Sequence, residues 1–302
     1  MYIRRRWCSY AKAAVTLPNL VRLPTIFTGF VFPAFSLYSN VYLNQSEIKY
    51  LRSLQQKKFQ DAEHKFLLEG WRPLRDALHS SFRIELIAVL AEASQKPEHR
   101  SVLTLAREHG ILIKEIKEVQ LKQISDAVHS QGVIALVYQQ TKSFDAKSIQ
   151  PAHLLVACDR ISDPGNLGTI LRTCDWFGAG AVLLSEECVS LYNDKVIRST
   201  SGSIFHLNIF ENIDLDSALP NLKSEGFKVV ATALNGKTLK TYSLPEKVVL
   251  LLGNEAQGVN PQLIQQADAV VSIPRYGQAE SLNVGIACGI FLEHWRNRSD
   301  QR

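Results

Sequence analysis

Three short segments in the second half of the chain combine glycine and asparagine with charged side chains. They read Asp163-Pro164-Gly165-Asn166-Leu167-Gly168-Thr169-Ile170-Leu171-Arg172-Thr173, then Leu251-Leu252-Gly253-Asn254-Glu255-Ala256-Gln257-Gly258-Val259, then Ile273-Pro274-Arg275-Tyr276-Gly277-Gln278-Ala279-Glu280-Ser281-Leu282-Asn283-Val284. Glycine lets a backbone come close to a flat ligand. Asparagine and serine orient polar groups by hydrogen bonding, and a carboxylate accepts protons. A guanidinium stays charged and offers donors in a fixed fork, which suits a phosphate or a negative oxygen. Taken one at a time, the segments have plainer readings. The first is a helix start capped at Asn166 with Arg172 on a solvated face. The second is a turn opened by Glu255, and the third a helix capped by Ser281.

These segments need elements to hold them. Near-continuous apolar runs occur at Leu154–Cys158, Ala181–Leu184, Val229–Thr232, Val248–Leu252 and Ala269–Val271. Runs without alternation fit strands buried on both faces, as in a parallel sheet covered by helices. Helical patterns lie between them at Leu167–Phe177, Leu215–Glu225, Pro261–Gln266 and Leu282–Trp295. The last is apolar on all sides from Val284 to Leu292 and is expected to be buried, with Gly285 and Gly289 spaced for close helix packing. All three segments follow strands, where open α/β sheets place their ligands.

Upstream, a second and smaller α/β pattern runs from residue 46 to residue 140. Its strands are expected at Phe66–Leu68, Arg83–Leu90, Ile111–Ile116 and Gly132–Tyr138, with helices at Trp71–Ser80, Lys96–His109 and from Ser46 onward. Residues 141–152 read as a polar linker, and 153–298 as the second domain. Lys57, Lys58, Lys65, Arg72 and Arg75 are candidates for a phosphate-binding face.

The three segments in this order resemble the motif set of the SpoU (TrmH) family of RNA ribose 2′-O-methyltransferases, within the SPOUT class. The fold class this implies is α/β: a C-terminal trefoil-knotted methyltransferase domain with a parallel sheet, plus a smaller N-terminal α/β RNA-binding domain. S-adenosyl-L-methionine is the implied cofactor and RNA, above all ribosomal RNA, the implied substrate. Transfer RNA, or a non-catalytic RNA-binding protein of the same fold, are the alternatives. The resemblance assigns Asn166, Arg172, Glu255, Ser281 and Asn283 to the active centre, and Gly253, Ile273 and Leu282 to the cofactor. Arg198, in the stretch Lys195–Ser203, is assigned to RNA. Within that set Glu255 is the orthodox proton acceptor and Arg172 a fixed donor to the attacking oxygen or an adjacent phosphate. SPOUT enzymes are usually homodimers that share active-site residues. One departure is Arg275, where family members commonly carry methionine.

Bulk properties agree with this class without defining it. With 302 residues and a net charge of +5, the chain has room for two domains and for a nucleic-acid partner. Its five cysteines form no C-x-x-C pair, so neither a zinc site nor a disulfide framework is expected, and a reducing compartment is. Residues 1–45 carry arginines but no acid, and read as a disordered or wrongly included leader, with a transit peptide as the alternative. The expected location is therefore the cytoplasm, or the mitochondrion if the leader is a transit peptide. Prolines 24 and 33 argue against a membrane span there. No G-x-G-x-x-G follows a strand, and phosphate-loop, G-x-S-x-G and H-E-x-x-H patterns are absent, which disfavours Rossmann, P-loop, hydrolase and zinc-protease chemistry.

Overall fold

The structure, a computed structural model, describes residues 42–125, 130–149, 152–243 and 245–299. Most of the expected leader therefore lies outside the described residues. Its last four residues do not behave as a leader. Leu43 is buried and donates its N–H to the Glu115 carbonyl at 3.1 Å. Asn44, rather than Ser46, caps the first helix: its side chain accepts from the Glu47 N–H, and the Glu47 carboxylate accepts from the Asn44 N–H in return.

The N-terminal part carries helices α1 (Gln45–Ser53), α2 (Lys57–Glu63), α3 (Trp71–Leu78), α4 (Ala91–Ser94), α5 (Pro97–Glu108) and α6 (Glu118–Ile124). Its strands are β1 (Lys65–Glu69), β2 (Ile84–Val89), β3 (Leu112–Glu115) and β4 (Val133–Tyr138), in the sheet order β1-β4-β2-β3. Only the β2–β3 pair is parallel.

The C-terminal part contains β5 (Leu154–Cys158), α7 (Pro164–Phe177), β6 (Ala181–Ser185), α8 (Asp194–Thr200), β7 (Ile209–Ile213), α9 (Leu215–Ser224), β8 (Lys228–Thr238), β9 (Val248–Leu252), α10 (Pro261–Gln266), β10 (Ala269–Ser272) and α11 (Val284–Ser299). The six strands form one parallel sheet in the order β10-β8-β9-β5-β6-β7. Strands β5 and β9 are buried at every residue, as uninterrupted apolar runs require. From β5 the chain runs outward through β6 and β7, then crosses to build the other half. The direction of winding thus reverses between β5 and β9, the position where an open α/β sheet leaves a crevice beyond its carboxyl ends.

α11 departs from the expectation of all-round burial. Cys288, Phe291, Leu292 and Trp295 are buried, but Ile286 and Ile290 are exposed. One face is packed and the other is apolar and uncovered. The packed face meets α7: a Cβ on Gly285 would lie 2.8 Å from the Thr169 methyl, so only glycine allows this approach, and Gly289 faces the Thr173 methyl at 3.8 Å. Among the described residues, no helix is long and apolar enough to cross a membrane, and no cluster of His, Cys, Asp or Glu could hold a metal ion.

One face of each sheet contributes to a shared hydrophobic core. Phe82 packs edge-on against Phe205 with ring centroids 5.0 Å apart, and Phe66 lies 4.9 Å from Tyr192. The connecting segment also packs on the second sheet, with Ala146 and Ile149 buried and Phe144 edge-on to Phe210. Rings in contact across the junction tie the unfolding of one part to the other. Wild-type protein is expected to melt in a single transition. Phe205→Ala should cost about 3–5 kcal/mol and separate the melting of the two parts, a result that calorimetry with domain-specific fluorescence would read.

Candidate active site

The first segment folds as α7, but its cap is not Asn166. Asp163 is the N-cap, accepting from the Asn166 N–H at 2.8 Å, with Pro164 in the first helical position. Asn166 therefore sits in the first turn with its side-chain amide free to reach outward. Likewise Ser281 does not cap α11. The Asn283 side-chain oxygen does, accepting from the Gly285 and Ile286 N–H groups at 2.9 and 3.3 Å.

These two displaced asparagines meet. Asn283 Nδ2 donates to Asn166 Oδ1 at 2.7 Å, and Asn166 Nδ2 donates to Glu255 Oε1 at 2.9 Å. The third, first and second segments are thereby wired in series at the crevice between β5 and β9. Glu255 also accepts from the Asp163 N–H at 3.3 Å, the Ser162 N–H at 3.4 Å and the Ser162 hydroxyl at 3.3 Å. Burial pushes its pKa up, but the Asn166 amide and the backbone N–H groups outweigh this and leave it below the usual carboxylate value. Glu255 is a carboxylate held by donors, and its basicity is correspondingly reduced.

The loop bearing Glu255 is clasped by residues that sequence reasoning did not select. Arg160 adopts a left-handed backbone conformation (φ 57°), uncommon outside glycine. Its guanidinium reaches both oxygens of buried Asp159, at 3.1 and 3.2 Å, and donates to Gln257 Oε1 at 2.8 Å. Asp159 also accepts from the Asn260 N–H at 2.7 Å, and Asn254 Nδ2 donates to the Arg160 carbonyl at 2.8 Å. Nothing in the residue types announced this clasp. Asp163 was findable, because Asp before Pro is a helix-start signature.

The remaining expected residues fall into two groups. Gly253 lies at the crevice, yet the space beside it belongs to the chain itself. A Cβ there would lie 2.1 Å from the Val259 nitrogen and 2.2 Å from the Gly258 carbonyl carbon. Ile273 is half-buried just beyond β10, and Ser281 and Leu282 are exposed. From Pro274 to Leu282 no backbone group hydrogen-bonds to another described residue. This stretch leaves main-chain donors and acceptors available next to Asn283.

Arg172 stands apart. It is exposed on α7 and makes no hydrogen bond or ion pair with another described residue. Six residues beyond Asn166 on a helix, it lies about 120° around the axis from it. Trp176, one turn further on the Arg172 face, is 84% exposed. Arg198 is exposed on α8 and lines a narrow crevice with Glu69 and Ser125. Of the proposed phosphate-binding cations, Lys65 is engaged internally, 2.6 Å from Glu85 and 4.8 Å over the Tyr138 ring.

In this parallel α/β domain three strand-end loops thus converge on one amide–carboxylate relay. Comparison with known proteins identifies the enzyme class. Residues 153–293 match the SpoU rRNA Methylase family, and residues 45–135 match the MRM3-like substrate binding domain. The chain is 33% identical over 251 residues to the 23S rRNA (guanosine(2553)-2′-O)-methyltransferase RlmP of Bacillus subtilis, covering 83% of this chain and 96% of that one. It superposes on the AdoMet-bound rRNA methyltransferase of Sinorhizobium meliloti with a TM-score of 0.75 at 32% identity, over 85% and 97% of the two chains. A solved RNA 2′-O ribose methyltransferase aligns with a TM-score of 0.74 at 29% identity, over 84% and 96%. The chain belongs to the SpoU family of RNA methyltransferases.

Two outcomes follow from the geometry. Gly253→Val should destabilise the fold as well as any ligand site, because the branched side chain would collide with backbone at Gly258 and Val259. A variant that melts like wild type would contradict this. Asn283→Asp keeps the oxygen that caps α11 but cannot donate to Asn166. Its melting temperature should stay within about 2 °C of wild type, while methyl transfer falls about 10²-fold as the relay breaks. Circular dichroism and single-turnover assays would read the two quantities separately.

Proposed function

We propose that this protein is an S-adenosyl-L-methionine-dependent RNA 2′-O-methyltransferase acting on ribosomal RNA, and that it works as a homodimer. The observation that carries the reading is the Asn283–Asn166–Glu255 relay, which joins the three motif loops at the crevice of the sheet. Family membership supports RNA methylation, and the names of the similar proteins support the ribose hydroxyl and ribosomal RNA as its target. The free backbone of residues 274–282, with Ile273 and Leu282 at its ends, would hold the cofactor. Bound there, S-adenosyl-L-methionine supplies a methyl group on a positively charged sulfur.

In this reading the chain's own residues mainly position and stabilise. Holding a hydroxyl in line with its reaction partner contributes about 7–11 kcal/mol of acceleration in favourable cases. The relay fixes the loops around the reacting ribose, and Ser281 lies at its rim. Glu255, with its basicity lowered by its donors, acts as the anchor of the relay rather than as a strong base. The charge that builds on the ribose oxygen as its proton leaves calls for a cation, and Arg172 is the unpaired one on α7. Because Arg172 faces away from Asn166, it would serve the site of a second copy. The uncovered α7–α11 face, with Trp176, Ile286 and Ile290, supports a dimer there. The threading expected of a trefoil has a basis too. β10 lies beyond β8 and β9 from β5, yet α11 packs on α7, so the chain crosses back over those strand ends.

The test is complementation. Arg172→Ala and Asn283→Asp should each lose methyl transfer to ribosomal RNA while Arg172→Ala keeps its S-adenosyl-L-methionine affinity. Co-expressed, random pairing should restore roughly a quarter of the wild-type sites, and Trp176→Glu added to both should abolish the rescue and yield monomers. Full activity of Arg172→Ala would remove Arg172 from the reaction. Absence of rescue in a proven heterodimer would place Arg172 and Asn283 in the site of one subunit.

A further inference from the structure

A sizeable cavity among the described residues lies away from the relay. It lies between the N-terminal part and the carboxyl ends of β6 and β7, with a volume of about 360 Å³. Its walls come from three places: Lys57 of α2, Lys142 of the connecting segment, and Ser185, Cys188, Tyr192 and Glu211 of the second sheet and its loops. The cavity shares a wall with the active loop. The Ser185 hydroxyl accepts from the Arg160 N–H at 2.9 Å, and the Cys188 thiol donates to the Cys158 carbonyl at 3.3 Å. Its back is rigid, because Tyr192 both donates to the Gln140 carbonyl and accepts from the Gln140 N–H, at 3.0 and 2.9 Å.

The chemistry of the walls limits the occupant. Glu211 is partly buried, and its Oε1 accepts from the Leu191 N–H at 3.1 Å. Its Oε2 has no hydrogen-bond partner among the described residues. Burial pushes the Glu211 carboxyl up, the Leu191 N–H pulls it down, and Asp61 and Lys57 oppose each other. A partly buried carboxylate with an unfilled oxygen gains from a ligand that brings N–H donors. Lys57 and Lys142 stand on the same cavity, and Lys142 Nζ is held at 3.2 Å by Asn208 Oδ1. Acidic and basic walls together disfavour a polyanion. They suit a group with one phosphate and a neutral donor edge, and the volume matches a single nucleotide among ligand pockets, which begin at about 300 Å³. Guanine alone among the RNA bases presents two adjacent donors, N1–H and N2–H, to match a carboxylate.

We propose that this cavity is a base-reading pocket for one unstacked guanine nucleotide of the RNA substrate, whose N–H edge donates to Glu211 and whose phosphate meets Lys57 and Lys142. The proposal rests on RNA being the substrate. It assigns to the junction of the two parts a role in choosing the RNA, apart from the chemistry of methyl transfer. Unstacked bases in single-stranded regions are the features of RNA that side chains read best.

The test uses the full chain and a random-sequence RNA library, with bound species sequenced for wild type and Glu211→Gln. Wild type should enrich one fixed guanine. Glu211→Gln should lose the preference at that position alone and keep the others, whereas Lys142→Ala should weaken all RNAs uniformly. Replacing the fixed guanine by inosine, which lacks the N2 donors, leaves the protein intact and should weaken wild-type binding about ten-fold. No fixed guanine in wild type, an unchanged preference in Glu211→Gln, or equal binding of inosine and guanine would each overturn the proposal. Calorimetry with S-adenosyl-L-methionine on the same preparation separates the two readings. Cofactor binding without a fixed guanine sinks the pocket and leaves the methyltransferase reading standing. A fixed guanine without cofactor binding does the reverse.

Discussion

The orientation of one amide, that of Asn166, determines how the site is assembled. Glu255 as a carboxylate can only accept, so Asn166 must turn its Nδ2 toward it. That leaves Asn166 Oδ1 facing Asn283, which must then present Nδ2. The Asn283 oxygen is thereby committed to the N–H groups of the first turn of α11. Each choice forces the next, and only one arrangement satisfies every partner. The network thus runs in one direction, from the positive end of a helix to a carboxylate, with the charges aligned to favour it. Three loops far apart in sequence are held in mutual register by groups too few to be rearranged without loss.

That register depends on the sheet. Placing β9 directly beside β5 puts Glu255 next to the start of α7, and the switch in winding direction opens the space in front of them. The second loop must then fold back tightly at its base. It does so where Gly253 lets the backbone of Gly258 and Val259 approach to a distance that any side chain would block. The Asp159–Arg160 clasp closes the same loop from the other side. Arg160 holds a backbone conformation costing roughly 1–3 kcal/mol, and its guanidinium contacts offset that cost. The two neighbours that look least alike, a glycine and an arginine, serve the same loop.

What could be read in the sequence follows from how local each cause is. The buried strands β5 and β9 were plain because continuous apolar runs have no other stable use in an α/β chain. β7 was missed because it begins with only two apolar residues, Ile209 and Phe210. Asn212 then takes a left-handed conformation at a register shift on the sheet edge. The site residues in the motifs were legible as residue types, but their tasks were not. Position alone points to Asn166 and Ser281 as caps, whereas the caps are Asp163 and Asn283, because capping is decided by which oxygen reaches the free N–H groups. Contacts such as Phe82 with Phe205, or Arg160 with Gln257, join distant segments and leave no periodic trace.

The relay and the lone arginine belong to different faces of one helix, and this separation has a chemical consequence. A cation bonded into the relay would neutralise Glu255 and fix itself on the carboxylate, where it would have little left to offer a developing oxyanion. Kept apart, Arg172 retains all its donors. The price is that the helix cannot turn both faces toward one ligand. In the proposed reaction, either the reacting oxygen extends around α7 or a second surface brings Arg172 to it. The same helix pair that exposes Arg172 also exposes Trp176, Ile286 and Ile290, an apolar surface that a solitary chain gains nothing by leaving in water. Covering that surface and delivering the arginine are one geometric act. On the proposed reading, a second copy would complete a site whose carboxylate and unpaired arginine lie on different faces of α7 within each chain.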